Sequence, residues 1–501
     1  MPLNLKSLLF IEALLVVGIL LFRAALRPEN RAIIGTKAIS LTLLTPAVAL
    51  LCGNVFVFYL YLVGAVAITS RTRAELCATY VMLLPMTPVL GQETAAGAVY
   101  LVPLSTILAM NFGALVGFVF TSPKRISSSR MLDVGAVLLV TLFVYIDSRN
   151  VSASSVIRTS IIFFIQLGVP YLVMSRGIAN RDEVFRLFLR FSYVGTLCAI
   201  VAIFDTSRHW ILYQSFNDAL NVPQPLGSAT LYVRGGYLRT GGMMVNFAAA
   251  GILLANVLVA MPAMWSKFRR GWASLICILL LGGIFASQSR GAWIAAGIGI
   301  LAVIIYRGHI MRGVGLLVAV VAAQTTLSGI LAPSSRLAET LGLSGASAQT
   351  GEYRKELLSS GLRQISAYPL FGQPPKQLAS NMSEMTQGQH IVDFVNTHLY
   401  VALAAGVPWF VIWLIIWIAP IVLTWRKRLV GPARGAMGLA EMPMAIIVAT
   451  MVALTFTSTV DRNLYWPAIA LGLIGPCVAL RRGERGMTTR SRPVRIIEVS
   501  G

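Results

Sequence analysis

Ser287-Gln288-Ser289-Arg290 is a four-residue polar insert between two apolar runs. With almost no loop around it, Arg290 sits at a helix–helix junction near membrane depth. An ionisable side chain there is costly and marks a candidate functional site. Ser287 and Ser289 offer hydroxyls to a freed backbone group or to a substrate oxygen. The plain alternative is an arginine that snorkels to the interface. A second stretch, Arg208–Gly242, ends in a glycine-rich segment carrying Arg234 and Arg239, immediately before the apolar run that begins at Met243. Glycines let a backbone approach a ligand closely, and the amides of a helix start favour an anion. An arginine in that place could hold a phosphate through two parallel hydrogen bonds. An interfacial loop with headgroup-facing arginines would have the same composition.

The longest polar stretch is 333–397, flanked on both sides by apolar runs of bilayer-spanning length. Glu352-Tyr353-Arg354-Lys355 opens a helical segment, with Leu357, Leu358, Leu362 and Ile365 predicted on its apolar side. Tyr368-Pro369-Leu370-Phe371-Gly372 stops it with a turn. Val392-Asp393-Phe394-Val395-Asn396-Thr397-His398 then leads into the next apolar run. Asp393 and His398 are the candidates for taking a proton from a hydroxyl, imidazole titrating near neutrality. In the competing reading Asn396 or Thr397 caps the helix and His398 is a packed aromatic. His390 lies in the same stretch.

The elements that must position these groups are membrane helices. The chain is 56% hydrophobic and 12% charged, with a mean hydropathy of +0.76, which excludes a soluble globular protein. Apolar runs of about 17–25 residues have the length needed to cross the hydrocarbon core. They fall at roughly 7–26, 33–52, 54–70, 76–92, 100–122, 131–147, 157–175, 187–207, 243–263, 272–286, 291–306, 313–332, 401–424, 441–459 and 464–480 by hydropathy. Region 33–92 can be divided in more than one way, so the expected fold is an all-α polytopic membrane bundle of about 13–15 spans. The run Ser7–Leu26 is expected to be a retained helix rather than a cleaved signal.

The net charge of +22 is expected from arginines in cytoplasmic loops beside anionic headgroups, not from nucleic-acid binding. From residue 123 onward the dense basic clusters (Lys124/Arg125/Arg130, Arg176/Arg181/Arg186, Lys267/Arg269/Arg270, Arg307/Arg312, Arg426/Lys427/Arg428/Arg434 and the tail from Arg481) all fall on one side. The positive-inside rule makes that side cytoplasmic. The other side receives 208–242, Ser287–Arg290, 333–397 and Asp461-Arg462-Asn463. The expected organisation is 1–207 transmembrane helices, 208–242 a first extracytoplasmic loop and 243–332 helices containing the serine–arginine junction. A large extracytoplasmic catalytic loop at 333–400, helices over 401–480 and a basic cytoplasmic tail at 481–501 complete it. The five cysteines sit in apolar runs and read as small core residues. No P-loop, metal-ligand cluster, carboxylate pair or nucleotide fingerprint is present, so neither a sugar-nucleotide donor nor ATP-driven transport is supported.

Taken together, these stretches resemble a known superfamily. Ser287-Gln288-Ser289-Arg290-Gly291-Ala292-Trp293 resembles the serine–arginine signature of the O-antigen ligase and Wzy-type polysaccharide polymerase superfamily. Arg239-Thr240-Gly241-Gly242-Met243-Met244-Val245-Asn246-Phe247-Ala248 resembles its element before a helix, and Arg354 through Pro369-Leu370-Phe371-Gly372 its arginine-helix-turn element. The ligases' histidine-containing pattern is matched by Val395-Asn396 and, after nine intervening residues, Gly406. Valine replaces the ligase histidine, Trp409 replaces a small residue or tyrosine, and His398 lies three residues further on. The resemblance implies a GT-C-like, metal-independent glycosyltransferase needing no cofactor. Its donor would be a glycan on undecaprenyl diphosphate, at the extracytoplasmic leaflet of the bacterial inner membrane. In that setting Arg239, Arg290 and Arg354 would stabilise the departing diphosphate. Ser287, Ser289 and Asn396 would support them, and His398 or Asp393 would act on the acceptor hydroxyl. The missing ligase histidine favours a polymerase of exopolysaccharide or O-antigen repeat units, with a chain-length regulator as a further partner. A ligase that loads lipid A-core is the alternative. A flippase would show paired charges within spans and two similar halves, neither of which is evident.

Overall fold

A computed structural model of the chain describes residues 3–96, 99–121, 129–222, 233–234, 236–330, 346–386, 392–429, 437–457 and 465–490. The N-terminal part runs α1 (Leu3–Ala25), α2 (Thr36–Leu51), α3 (Val55–Ala67) and α4 (Arg73–Leu83), then the antiparallel strands β1 (Gly91–Ala96) and β2 (Val99–Ser105). There follow α5 (Thr106–Phe120), α6 (Arg130–Asp147), α7 (Ala153–Phe163), α8 (Val169–Gly177), α9 (Arg181–Arg208) and the short α10 (Ser215–Ala219). A second small strand pair, β3 (Val233–Arg234) and β4 (Tyr237–Leu238), precedes α11 (Phe247–Met264), α12 (Trp272–Ser287), α13 (Arg290–Tyr306) and α14 (Ile310–Ile330). The C-terminal part is α15 (Ala346–Ala367), α16 (Pro375–Asn381), α17 (Thr397–Ala405), α18 (Val407–Leu429), α19 (Met437–Leu454) and α20 (Tyr465–Arg490).

The protein is thus an all-α, multi-pass membrane bundle. Helices satisfy their own backbone groups, the condition lipid imposes. α9 is the central column, packed by α1, α4, α11 and α12; α11 in turn packs on α13 and α19. Leu60, Ile68, Val119, Phe120, Ile278 and Ile415 stay exposed around the bundle, as lipid-facing residues do.

Among the described residues, five helices are long and apolar enough to cross a membrane, or six if the bent pair Pro28–Ile34 and α2 is one span. The other apolar helices are shorter, such as α12, α13 and α19. The expected run 76–92 stops as a helix at Leu83, followed by a 3-10 turn at Leu84–Met86. Pro85 and Pro88 cannot donate the hydrogen bonds a continuing helix needs, and the chain turns into β1 and β2. The expected run 401–424 is broken between α17 and α18 at Gly406, whose φ of +86° no helix accommodates. Charge pairs unforeseen in the sequence also occur: Arg307 with the buried Glu441, joining α13 to α19, and Arg176 with Asp133 at 2.7 Å, joining α8 to α6.

The described residues of the polar stretch after α14 form a small helical cap. α15, α16 and α17 enclose a core of their own from Leu357, Leu378, Met382, Met385, Leu399 and Leu403. Leu358 and Leu362, expected on the buried side, are exposed, while Tyr353 and Ile365 pack inward. His390, Asp461-Arg462-Asn463, Lys124/Arg125, Arg434 and the end of the tail at 491–501 lie outside the described residues.

Candidate active site at the serine–arginine link

The link between α12 and α13 is two residues long. Gln288 closes α12 in a left-handed conformation (φ +50°), Ser289 is the extended N-cap of α13, and Arg290 is its first residue. Ser287 donates to the Ile284 carbonyl at 2.7 Å and accepts from the Ser289 amide at 3.3 Å. Its hydroxyl therefore shapes the turn. The Trp293 indole donates to the same Ile284 carbonyl at 3.1 Å and its ring stacks on Phe285, which pins the two helix ends together. Gly251 on α11 makes room for the link: a Cβ there would sit 3.0 Å from Ser287 Oγ and 3.1 Å from Ser289 Cβ. Gly291 does the same for Phe456, whose Cβ would be 2.6 Å away.

Two other elements converge on this point. The segment before α11 runs alongside the link, with the Thr240 amide donating to the Ala286 carbonyl at 3.3 Å. Thr240 Oγ1 also donates to the fully buried Asp205 of α9 at 2.8 Å, which ties the segment to the central column. Asn246 caps α11 by accepting from the amides of Ala248 and Ala249. From the cap, Arg354 on α15 donates to the Phe456 carbonyl at 3.4 Å.

A cluster of guanidiniums results. Arg234 donates to the Gln288 carbonyl at 3.2 Å, and the like-charge neighbours of Arg290 are Arg234 and Arg354. Burial holds the Arg354 pKa below its usual value and the positive Arg234 pushes the same way, while the nearby Asp393 opposes them. Three cations thus gather about the link, with the Asp393 carboxylate near Arg354. Like charges gathered in a partly buried site favour an anion between them.

Of the residues expected from the sequence, Arg290, Arg354 and Asp393 are brought together here. Asp393 is kept beside α15 by Tyr353, whose hydroxyl donates to the Asp393 and Met385 carbonyls at 3.2 Å each. Arg239 stacks its guanidinium on the Phe247 ring, 3.7 Å from the centroid; the loop arginine facing both Arg290 and Arg354 is Arg234. Ser289 is buried at the α13 start and its side chain makes no capping bond. Asn396 caps α17, accepting from the Leu399 amide at 3.1 Å.

His398 is engaged at both ring nitrogens. The Trp413 indole donates to Nδ1 at 2.9 Å, and Nε2 donates to the Met451 carbonyl at 3.0 Å. A carbonyl only accepts, so the ring is the neutral Nε2–H tautomer, and a hydroxyl would have to displace one of these bonds to reach it.

Sequence reading passed over Gln288, Arg234 as a member of the cluster, and Phe456. Gln288 is 1% exposed, and neither polar atom of its side-chain amide has a hydrogen-bond partner among the described residues. Such a group is costly to bury. A left-handed residue other than glycine inside the signature was the available signal, but φ is not visible in a sequence.

The motif turns of the cap also meet. Gly372 (φ +59°) lies against Gly406, where the Gln373 amide donates to the Leu403 carbonyl at 2.9 Å and the Val407 amide to the Pro369 carbonyl at 2.8 Å. Arg149 and Tyr145 of the α6 end donate to the Phe371 carbonyl from outside.

Residues 275–414 match the O-antigen ligase family, a segment that contains the link, Arg354, Asp393 and His398. No curated protein matches the chain. The resemblance to the O-antigen ligase and Wzy-type superfamily is therefore supported by this segment, and with it an O-antigen ligase or polymerase type of glycosyl transfer.

Proposed function

We propose that the protein polymerises oligosaccharide repeat units carried on undecaprenyl diphosphate, for an exopolysaccharide or O-antigen, at the extracytoplasmic face of the bacterial inner membrane. The observation that carries this reading is the meeting of Arg234, Arg290 and Arg354 at the serine–arginine link, with Asp393 beside Arg354. A lipid diphosphate leaves as an anion, and fixed cations aimed at that departing charge are worth more in the transition state than in the ground state.

In the proposed step the acceptor hydroxyl oxygen bonds to the anomeric carbon of the donor glycan as the bond from that carbon to the diphosphate oxygen breaks. The electron pair leaves with the diphosphate, held by the arginines. The hydroxyl proton passes to the Asp393 carboxylate and from there to solvent. His398, spent on Trp413 and Met451, holds α17 against α18 and α19 in this account. The Gln288 amide is the neutral group offered to a donor oxygen, and Arg239 supports the segment before α11. The activated bond is supplied by the lipid carrier, so the proposed step calls for no cofactor.

The alternative is transfer of a finished glycan to lipid A-core, the activity named by the family that residues 275–414 match. Valine at position 395, where the ligase pattern has histidine, favours the polymerase. Purified protein in proteoliposomes, given lipid-diphosphate-linked repeat units alone, should make a ladder of lengthened lipid-linked products. A single product formed only when lipid A-core is added would establish the ligase instead.

A further inference from the structure

At the end of the bundle opposite the link, a cleft of about 560 Å³ opens between the start of α2 and the start of α9. Arg190, in its wall, lies roughly 24 Å along α9 from Thr206, which meets the link side, at 1.5 Å per residue. The cleft is lined by Gly35, Lys37, Phe185, Arg186, Arg190 and Lys267, among others. None of these belongs to the site described above.

Three independent features give the cleft its chemistry. The first turn of the 16-residue helix α2 faces it, and the N-cap Gly35 provides no side-chain cap, so the amides of that turn are donors without a partner inside the helix. Arg190 is 7% exposed and has no ion-pair partner among the described residues; it donates only to the Thr79 hydroxyl at 3.2 Å and the Ile33 carbonyl at 3.4 Å. Arg186 and Lys267 stand at the mouth, Lys267 with its ammonium 4.7 Å from the Phe185 ring centroid. Glu75 pairs with Lys37 at 2.6 Å and lies within the field of Arg190, so one carboxylate serves two cations there, while Glu29 and Asp182 are exposed.

We infer that this cleft binds a phosphate monoester or diester group. A buried guanidinium whose neighbouring carboxylate, Glu75, is shared with Lys37, an uncapped helix start and two further cations are the parts from which such sites are built. The source is either the headgroup of an anionic phospholipid in the adjacent leaflet or a free phosphate. The inference is independent of the glycan reading, and its test does not read polymer formation.

The full chain is purified in detergent, and its thermal midpoint is followed while short-chain phosphatidylglycerol, phosphatidylcholine or inorganic phosphate is titrated. Wild type is expected to be stabilised by phosphatidylglycerol and not by phosphatidylcholine; a matching response to inorganic phosphate alone would assign the free anion. The double variant Arg186→Ala/Lys267→Ala should shift the half-maximal concentration up by about 30-fold, at the typical contribution of one surface cation each. Arg269→Ala/Arg270→Ala removes two exposed arginines at the same end but outside the cleft, and should leave it unchanged. Both double variants spare Arg190, whose bonds hold α9 to α4. An equal loss in the two double variants would reduce the effect to general surface charge and overturn the inference. So would the absence of stabilisation by either phosphate-bearing probe.

Discussion

At the scale of the residue, Arg290 is legible in the sequence because an ionisable group in a four-residue polar insert has nowhere else to be. Which partner arginine it meets is not. Arg234 and Arg239 are separated by four residues of glycine-rich chain, and only the local pairing of Val233 with Leu238 and of Arg234 with Tyr237 decides which side chain is turned to the link. Asp393 and His398 are equally plausible proton acceptors by type, and their surroundings separate them. Asp393→Asn is expected to lower turnover by about 10²–10⁴-fold, the usual cost of losing a general base, with the thermal midpoint little changed. His398→Ala should strand a buried indole and a carbonyl, costing about 1–3 kcal/mol of stability, while the protein that remains folded turns over within a few-fold of wild type. A stable His398→Ala without turnover, alongside an active Asp393→Asn, would exchange the two roles. Gln288 allows a sharper test, because glycine keeps its left-handed backbone and removes only the amide. Gln288→Gly should be as stable as wild type or more so, by about 1 kcal/mol, yet bind donor about tenfold more weakly for want of one hydrogen bond to a charged group. Wild-type donor affinity in that variant would leave Gln288 a turn residue and nothing more.

At the scale of the element, hydropathy locates helices but averages over the breaks that matter. Residues 100–105 read as the start of the span 100–122, and their apolar composition does not separate them from α5, although in the structure they belong to β2; Pro85 and Pro88 hint at the break before them. Gly406 is hidden within an apolar run in the same way. Its role becomes visible only when Gly372 is seen against it, joining the turn after α15 to the break between α17 and α18. The buried side of α15 takes Leu357 and Ile365, as the period predicts, but with Tyr353 in place of Leu358 and Leu362. The approach of α11 to the link can be tested directly. A side chain at position 251 would press on Ala292, 2.8 Å from the added Cβ, and on Ser287 and Ser289. Gly251→Val is expected to cost about 1–3 kcal/mol by overpacking and to cut turnover further than the loss of folded protein explains, since it displaces the start of α13 and Arg290 with it. Full specific activity in Gly251→Val would show that the link tolerates displacement.

At the scale of the whole molecule, the bundle has two chemically different ends. One gathers the link, the segment before α11 and the helical cap, and holds Arg234, Arg290, Arg354 and Asp393. The other carries Lys267, Arg269 and Arg270 in the α11–α12 turn and Arg186 and Arg190 near the start of α9. That division was legible from the spacing of basic clusters alone, because charge asymmetry survives errors in the number of spans. What spacing could not supply is that the cap has its own core and bridges to the bundle through Arg354 and Phe456. The account depends above all on the arginines at the link acting on a departing diphosphate. The most direct measurement is the rate of release of lipid diphosphate from a lipid-linked repeat unit by purified Arg290→Ala and Arg290→Lys in proteoliposomes, at matched amounts of folded protein. The account predicts a loss of about 10²–10³-fold for alanine, the scale for removing one preorganised charge-stabilising donor, and a severe loss for lysine, which lacks the planar fork. Release at the wild-type rate from Arg290→Ala would contradict it.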